Sequence, residues 1–223
     1  SIGSLYFTKE IFDGTYPGYG SSYADLQGGL GILFEQASSR GLLQKTDYNE
    51  ITFAFTIRNQ FVSSMATLKA AIKNKSILNK YQKSFFKSAI LNANKNKIKG
   101  YDFRSDDQNL SKAFIDKLLR HKVKVYEKKR GSYFVPSKQP QYRMVQTFFE
   151  TYKKYRDSVF YDASAWSVVN FYNIKYKPSN KTYLNNEIKS VDKLIKWDSV
   201  KKSQYAYLVD SNDYNIPALI NGL

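Results

Sequence analysis

Cysteine is absent and histidine occurs once, at His121, in a chain of 223 residues. The first absence excludes a disulfide framework, a thiolate nucleophile and any cysteine metal site. The second leaves no Ser-His-Asp constellation except one built on His121. That residue stands beside Arg120, Lys122 and Lys124, with no second ligand next to it, and reads as a surface or turn histidine. No apolar run approaches the roughly 18 residues that a membrane span needs. The first ten residues also lack the basic flank and apolar core of a secretion signal.

What is present fits a globular chain: 42% hydrophobic, 16% aromatic and 24% charged residues. This composition lies outside the disordered, collagen-like and coiled-coil classes, and the length allows one large domain or two small ones. Lys and Arg number 35 against 19 Asp and Glu, a net charge of +16. The excess is local. Residues 1–68 hold 4 basic and 6 acidic side chains, residues 69–130 hold 18 and 5, and the remainder 13 and 8. A central basic stretch is the footprint of a polyanion-binding surface. Because Lys, Asn, Tyr and Ile are abundant throughout, compositional drift accounts for the bias more simply, and nucleic acid is the disfavoured partner.

Within the first 50 residues Gly14, Gly18, Gly20, Gly28, Gly29, Gly31 and Gly41 surround one short apolar run, Leu30-Gly31-Ile32-Leu33-Phe34. That run reads as a buried strand bounded by breakers, with Glu35 at its C-terminal end. A carboxylate buried there needs a cation, a metal or a hydrogen-bond network; on local pattern alone, Glu35 capping the strand and facing water is the simpler reading. Phe53, Phe55 and Ile57 then alternate with Thr52, Ala54 and Thr56 at a period of two, before Phe61, Met65, Leu68 and Ile72 announce a helix. A second helical stretch runs from Ile77 through Ile90, and a polar link follows over 92–99.

From Gly100 the rhythm is strand, helix, strand: 101–103, then 107–119 with Leu110, Phe114 and Leu118 on one face, then 123–126. A strand at 133–135, a helix over 141–154 and a mixed aromatic segment over 159–169 follow. After a Lys- and Asn-rich linker at 179–187 and an amphipathic piece at 188–197, residues 205–210 read as the opening strand of a parallel α/β domain and 216–223 as the start of its first helix.

The blocks Phe12-Asp13-Gly14-Thr15-Tyr16-Pro17-Gly18-Tyr19-Gly20-Ser21-Ser22-Tyr23 and Gly28-Gly29-Leu30-Gly31-Ile32-Leu33-Phe34-Glu35-Gln36-Ala37-Ser38-Ser39-Arg40-Gly41 resemble the final third of a zinc metallocarboxypeptidase domain of the carboxypeptidase A type. The large multidomain bacterial branch is the most similar. Thr56-Ile57-Arg58-Asn59-Gln60 looks like the entry to that domain's closing helix, while residues 139–146 and 160–166 look like the connector that follows it. From Tyr205 the chain resembles the start of the branch's glutamine-amidotransferase-like domain.

The resemblance implies an α/β fold: the last strands and closing helix of a metallocarboxypeptidase mixed sheet over residues 1–96, an α/β connector over 97–200, and a truncated further domain over 201–223. It implies that Glu35 is the general base that accepts a proton from zinc-activated water during peptide hydrolysis. Tyr16 or Tyr19 matches a mobile substrate-closing tyrosine, and Ser38 and Arg40 wall the substrate side. Peptide or protein substrates, flanking domains of the same polypeptide and a periplasmic or secreted location are implied too. This chain departs from the family in lacking the His-x-x-Glu pair and the later His that hold the metal. It is therefore expected to bind no zinc and to be inactive alone. A non-catalytic binding or scaffold module is the alternative, with a polyanion-binding protein third.

Overall fold

The computed structural model describes Ser4, Tyr6 and residues 17–149, 167–192, 194 and 200–222. The chain divides into two compact units, Ser1–Phe85 and Phe86–Leu223. Among the described residues it is a mixed α/β protein with seven helices and two antiparallel sheets.

In the first unit a short helix α1 (Gly20–Leu26) precedes a small hairpin, β1 (Leu43–Lys45) and β2 (Glu50–Thr52), paired antiparallel. Its turn is tied by Thr46, whose Oγ1 donates to Asn49 O at 2.8 Å and accepts the Asn49 N–H at 3.0 Å. Helix α2 (Phe53–Lys73) starts immediately after β2 because Thr52 is its N-cap, Oγ1 accepting the Phe55 N–H at 3.1 Å. The alternation read as a strand over 52–57 is thus the first turn and a half of a helix. Phe53, Ile57 and Phe61 recur every four residues, and over so short a window a helical stripe mimics a period of two. Asn74 ends α2 with its Nδ2 on Ala70 O at 2.8 Å, and α3 (Lys75–Lys95) begins one residue later.

The second unit is built on five strands. β3 (Gly100–Arg104) leads into α4 (Gln108–Arg120), which Asp107 caps by accepting the Leu110 N–H at 3.0 Å. β4 (Val125–Lys129) and β5 (Ser132–Pro136) form a hairpin across Arg130 and Gly131, where Gly131 has φ +74°. Helices α5 (Tyr142–Phe149) and α6 (Val168–Phe171) follow, then β6 (Lys175–Ser179), β7 (Glu187–Ile188) and α7 (Ile216–Gly222). The sheet order is β6-β3-β5-β4-β7, antiparallel at each pairing. Since β5 lies between β3 and β4 and opposes both, those two strands run parallel, joined through α4. The expected strand-helix-strand unit is present with a third strand inserted into it.

One face of this sheet meets α4 and α5 in an aromatic core. Phe114 on α4 is fully buried and meets Phe103 edge-on at 5.3 Å and Phe149 at 5.8 Å, while Tyr101 stacks on Phe149 at 4.8 Å. Each such ring contributes roughly 1.5–3 kcal/mol through burial. The C-terminal half of α3 joins the same unit: Ala89 and Ala93 pack with Tyr142, whose hydroxyl accepts from Asn96 Nδ2 at 2.7 Å.

Two expected strands are not formed. Residues 30–34 have no strand pairing, and their apolar side chains are half or more exposed: Leu30 56%, Ile32 61%, Leu33 55% and Phe34 50%. Residues 205–210 are irregular too, with Tyr205 and Leu208 fully exposed, although the helix expected after them is α7. In both cases the sequence has strand composition, but the described residues contain no neighbouring strand to accept its hydrogen bonds. Residues 160–166, 193 and 195–197 fall outside the described residues.

Candidate functional site around Glu35

The segment leading to Glu35 is fixed by its glycines. Gly28 (φ +71°) turns the chain out of α1, and the Gly31 N–H then donates to Asp25 Oδ1 at 2.7 Å. A Cβ on Gly31 would stand 2.1 Å from Ser21 O, so the backbone passes over α1 at a distance that no side chain allows. The chain thus returns across the helix as an anchored segment rather than a free loop.

Glu35 follows this anchored stretch and is exposed. Its carboxylate has no ion pair or hydrogen bond among the described residues. The residue after it is held: Gln36 Oε1 accepts from Asn59 Nδ2 at 3.0 Å, and Gln36 Nε2 donates to Ala37 O at 3.4 Å. Asn59 is buried on α2, and its Oδ1 accepts from Ser4 Oγ at 3.0 Å and from Arg58 Nη2 at 3.4 Å. The Arg58 guanidinium in turn lies 4.7 Å above the Phe55 ring. This network ties the backbone beside Glu35 to the first turns of α2. Sequence reasoning missed Asn59; the visible signal was a short polar side chain within an apolar helical stripe, a position it holds only when its amide is satisfied.

Ser38 and Arg40 are both exposed and share one turn with Glu35, the Arg40 N–H donating to Ser38 Oγ at 3.2 Å. Ser39 between them is buried, and its carbonyl accepts the Leu42 N–H at 3.1 Å. Gln44 Nε2 donates to Arg40 O, joining this turn to β1. Gly41 and Leu42 both adopt left-handed backbone (φ +79° and +72°), a strained conformation for leucine that the hairpin imposes. Tyr19 is half-buried at the N-cap of α1, its carbonyl accepting the Tyr23 N–H at 2.9 Å. Tyr16 lies outside the described residues. The structure therefore gathers Glu35, Ser38 and Arg40 on one continuous segment.

His121 is the C-cap of α4, donating its N–H to Leu118 O at 3.1 Å. It is a turn histidine, as its place in the sequence suggests, and its ring is half-buried, 5.8 Å from Phe148. Burial, and secondarily the Lys117 ammonium, pull its pKa below the ordinary 6.5. Among the described residues no three of His, Cys, Asp and Glu come together as a metal-ligand group. The residues around Glu35 do not fit a zinc centre, and any such metal would be held by other side chains. Among the described helices, none is long and apolar enough to cross a membrane. No protein-family model, curated protein or solved structure matches the chain.

Proposed function

We propose that the chain is the C-terminal part of a zinc metallocarboxypeptidase-like catalytic domain with the connector that follows it, and that Glu35 is the general base of a peptide hydrolase. The observation that carries this reading is the apolar surface beside Glu35. Leu30, Ile32, Leu33 and Phe34 lead into the carboxylate uncovered, and Phe53, Ile57, Phe61, Met65, Leu68 and Ile72 expose a stripe along α2. Folded chains rarely leave so many large apolar side chains in water. A run of strand composition with no strand beside it, next to a helix with an uncovered apolar face, is what one edge of a larger sheet domain leaves when its other layers come from additional chain.

In that setting the step supplied by this chain is a proton transfer. Glu35 takes a proton from the attacking water as the C–O bond forms, and returns it to the amine as the C–N bond breaks. Tyr16, Tyr19, Ser38 and Arg40 would face the substrate. Zinc belongs to residues other than those described, and the flanking domains and a periplasmic or secreted location go with the same reading. A second reading, a non-catalytic binding or scaffold module, is favoured by one observation: Glu35 is exposed and has no partner among the described residues. The coding sequence upstream of Ser1 separates the two. A His-x-x-Glu pair with a later His supports the hydrolase, and its absence leaves the scaffold.

A further inference from the structure

The strand register of the second unit places a row of cations with no ion-pair partner among the described residues. Lys175 is directly opposite Arg104, Arg104 opposite Ser132, and Ser132 opposite Lys129. One row across four strands therefore reads Lys175, Arg104, Ser132, Lys129, with Arg130 next to it at the hairpin tip. All four cations are exposed, and none forms an ion pair among the described residues. Like charges placed directly opposite in a strand pair are destabilising. The adjacent row is arranged otherwise: Lys177 is opposite Asp102, which also takes Lys128 at 2.9 Å.

Arg104, Arg130 and Lys175 each line two cavities, of about 700 and 810 Å³, at this end of the sheet. Ser105 and Gln108 add polar groups to both. The smaller cavity sets four carboxylates, Asp106, Asp107, Asp210 and Asp213, against these three cations, and three of the four are engaged: Asp210 Oδ1 accepts the Asn212 N–H at 2.9 Å. Asp107 accepts the Leu110 and Tyr214 N–H groups at 3.0 and 2.8 Å, and Asp213 accepts from Asn109 Nδ2 at 2.8 Å. The larger cavity sets six cations against three carboxylates, one of them the paired Asp102.

We infer that the row Lys175–Arg104–Lys129–Arg130 is a binding site for an oligophosphate, an extended anion carrying three or more phosphate groups. Strands lie about 4.8 Å apart, so the row runs roughly 14 Å, long enough for several phosphates in line. Planar guanidinium groups take phosphate oxygens in pairs, which suits Arg104 and Arg130. The cavity volumes fall within the range of small-ligand sites, about 300–1,000 Å³. Of the described rings lining the larger cavity, Phe103 and Tyr133 are buried and packed against each other at 5.2 Å, and Tyr176 is half-buried with its ring 5.8 Å from Phe149, so none is an open platform for a stacked base. That favours an oligophosphate over single-stranded nucleic acid.

The test is calorimetric titration of the full 223-residue chain with inorganic tripolyphosphate at low salt, with single-stranded DNA titrated in parallel. The expected result is saturable tripolyphosphate binding that weakens at least tenfold in the double variant Arg104→Gln, Lys175→Gln. The control double variant Lys122→Gln, Lys138→Gln removes the same charge at the opposite end of the sheet and should change affinity less than twofold. The melting temperature of ligand-free Arg104→Gln should be unchanged or raised, because a like-charge pair has been relieved; this separates lost binding from lost folding. Absence of tripolyphosphate binding, or an equal loss in both double variants, would overturn the inference. Single-stranded DNA binding that is stronger than tripolyphosphate binding and depends on Arg104 and Lys175 would overturn it in favour of nucleic acid.

Discussion

Gln139 Oε1 accepts the Lys124 N–H at 2.8 Å while its Nε2 donates to Pro136 O at 2.6 Å, so one buried amide joins the entry of β4 to the exit of β5. Replacing it with leucine keeps the volume but strands two backbone groups away from water, each at a cost of about 1–3 kcal/mol. Gln139→Leu should therefore lower stability by roughly 2–4 kcal/mol. Urea unfolding with an unchanged m-value would check this, and a loss under 0.5 kcal/mol would mean that water replaces the amide.

Gly100 has no room for a side chain. An added Cβ would stand 2.3 Å from Phe134 Cζ and 2.5 Å from Val135 O, the second of these on an immovable strand. Gly100→Ala should force β3 away from β5 and cost on the order of 1–3 kcal/mol, as overpacking does. Chemical denaturation measures it, and wild-type stability in the variant would contradict the β3–β5 register.

Ser111 is predicted to behave in the opposite direction. Its hydroxyl is buried in α4 without a hydrogen-bond partner among the described residues, so Ser111→Ala removes an unsatisfied group and puts the best helix former in its place. A gain of about 1 kcal/mol is expected; a loss of that size would reveal a partner for the hydroxyl.

Stability should fall with acid through His121. Its pKa is lowered in the fold, so below about 6.5 the unfolded chain binds a proton that the folded chain resists. Its contribution is thus intact above pH 6.5 and shrinks as pH drops towards the folded value. Comparing melting temperatures at pH 7.5 and 5.5 in the wild type and His121→Gln isolates this effect. Equal pH slopes in the two proteins would show that the imidazole is solvated.

How far the sequence could be read depended on where each element finds its partner. α4 was legible because Asp107, Leu110, Phe114 and Leu118 carry the cap and the buried stripe locally, and β3 and β5 because aromatic and β-branched residues fill short runs between turns. The insertion of β5 between β3 and β4 was not legible, since nothing local records which strand a hairpin joins. β6 was missed because its sequence, Lys-Tyr-Lys-Pro-Ser, is that of an exposed edge strand and resembles a linker. Around Glu35 the glycines and the run 30–34 were visible. Their outcome was not, because a strand forms only where another strand accepts its hydrogen bonds. The Gln36–Asn59 contact spans 23 residues and has no signature in either segment.

The assignment of Glu35 is tested most directly in the full-length gene product, by measuring bound zinc and release of C-terminal amino acids from peptides in the wild type and in Glu35→Gln. The account predicts stoichiometric zinc in both proteins and a fall in turnover of about 10²–10⁴ in the variant, the range for a lost general base. Full peptidase activity in Glu35→Gln, or a wild-type protein that neither binds zinc nor cleaves peptides, would contradict it.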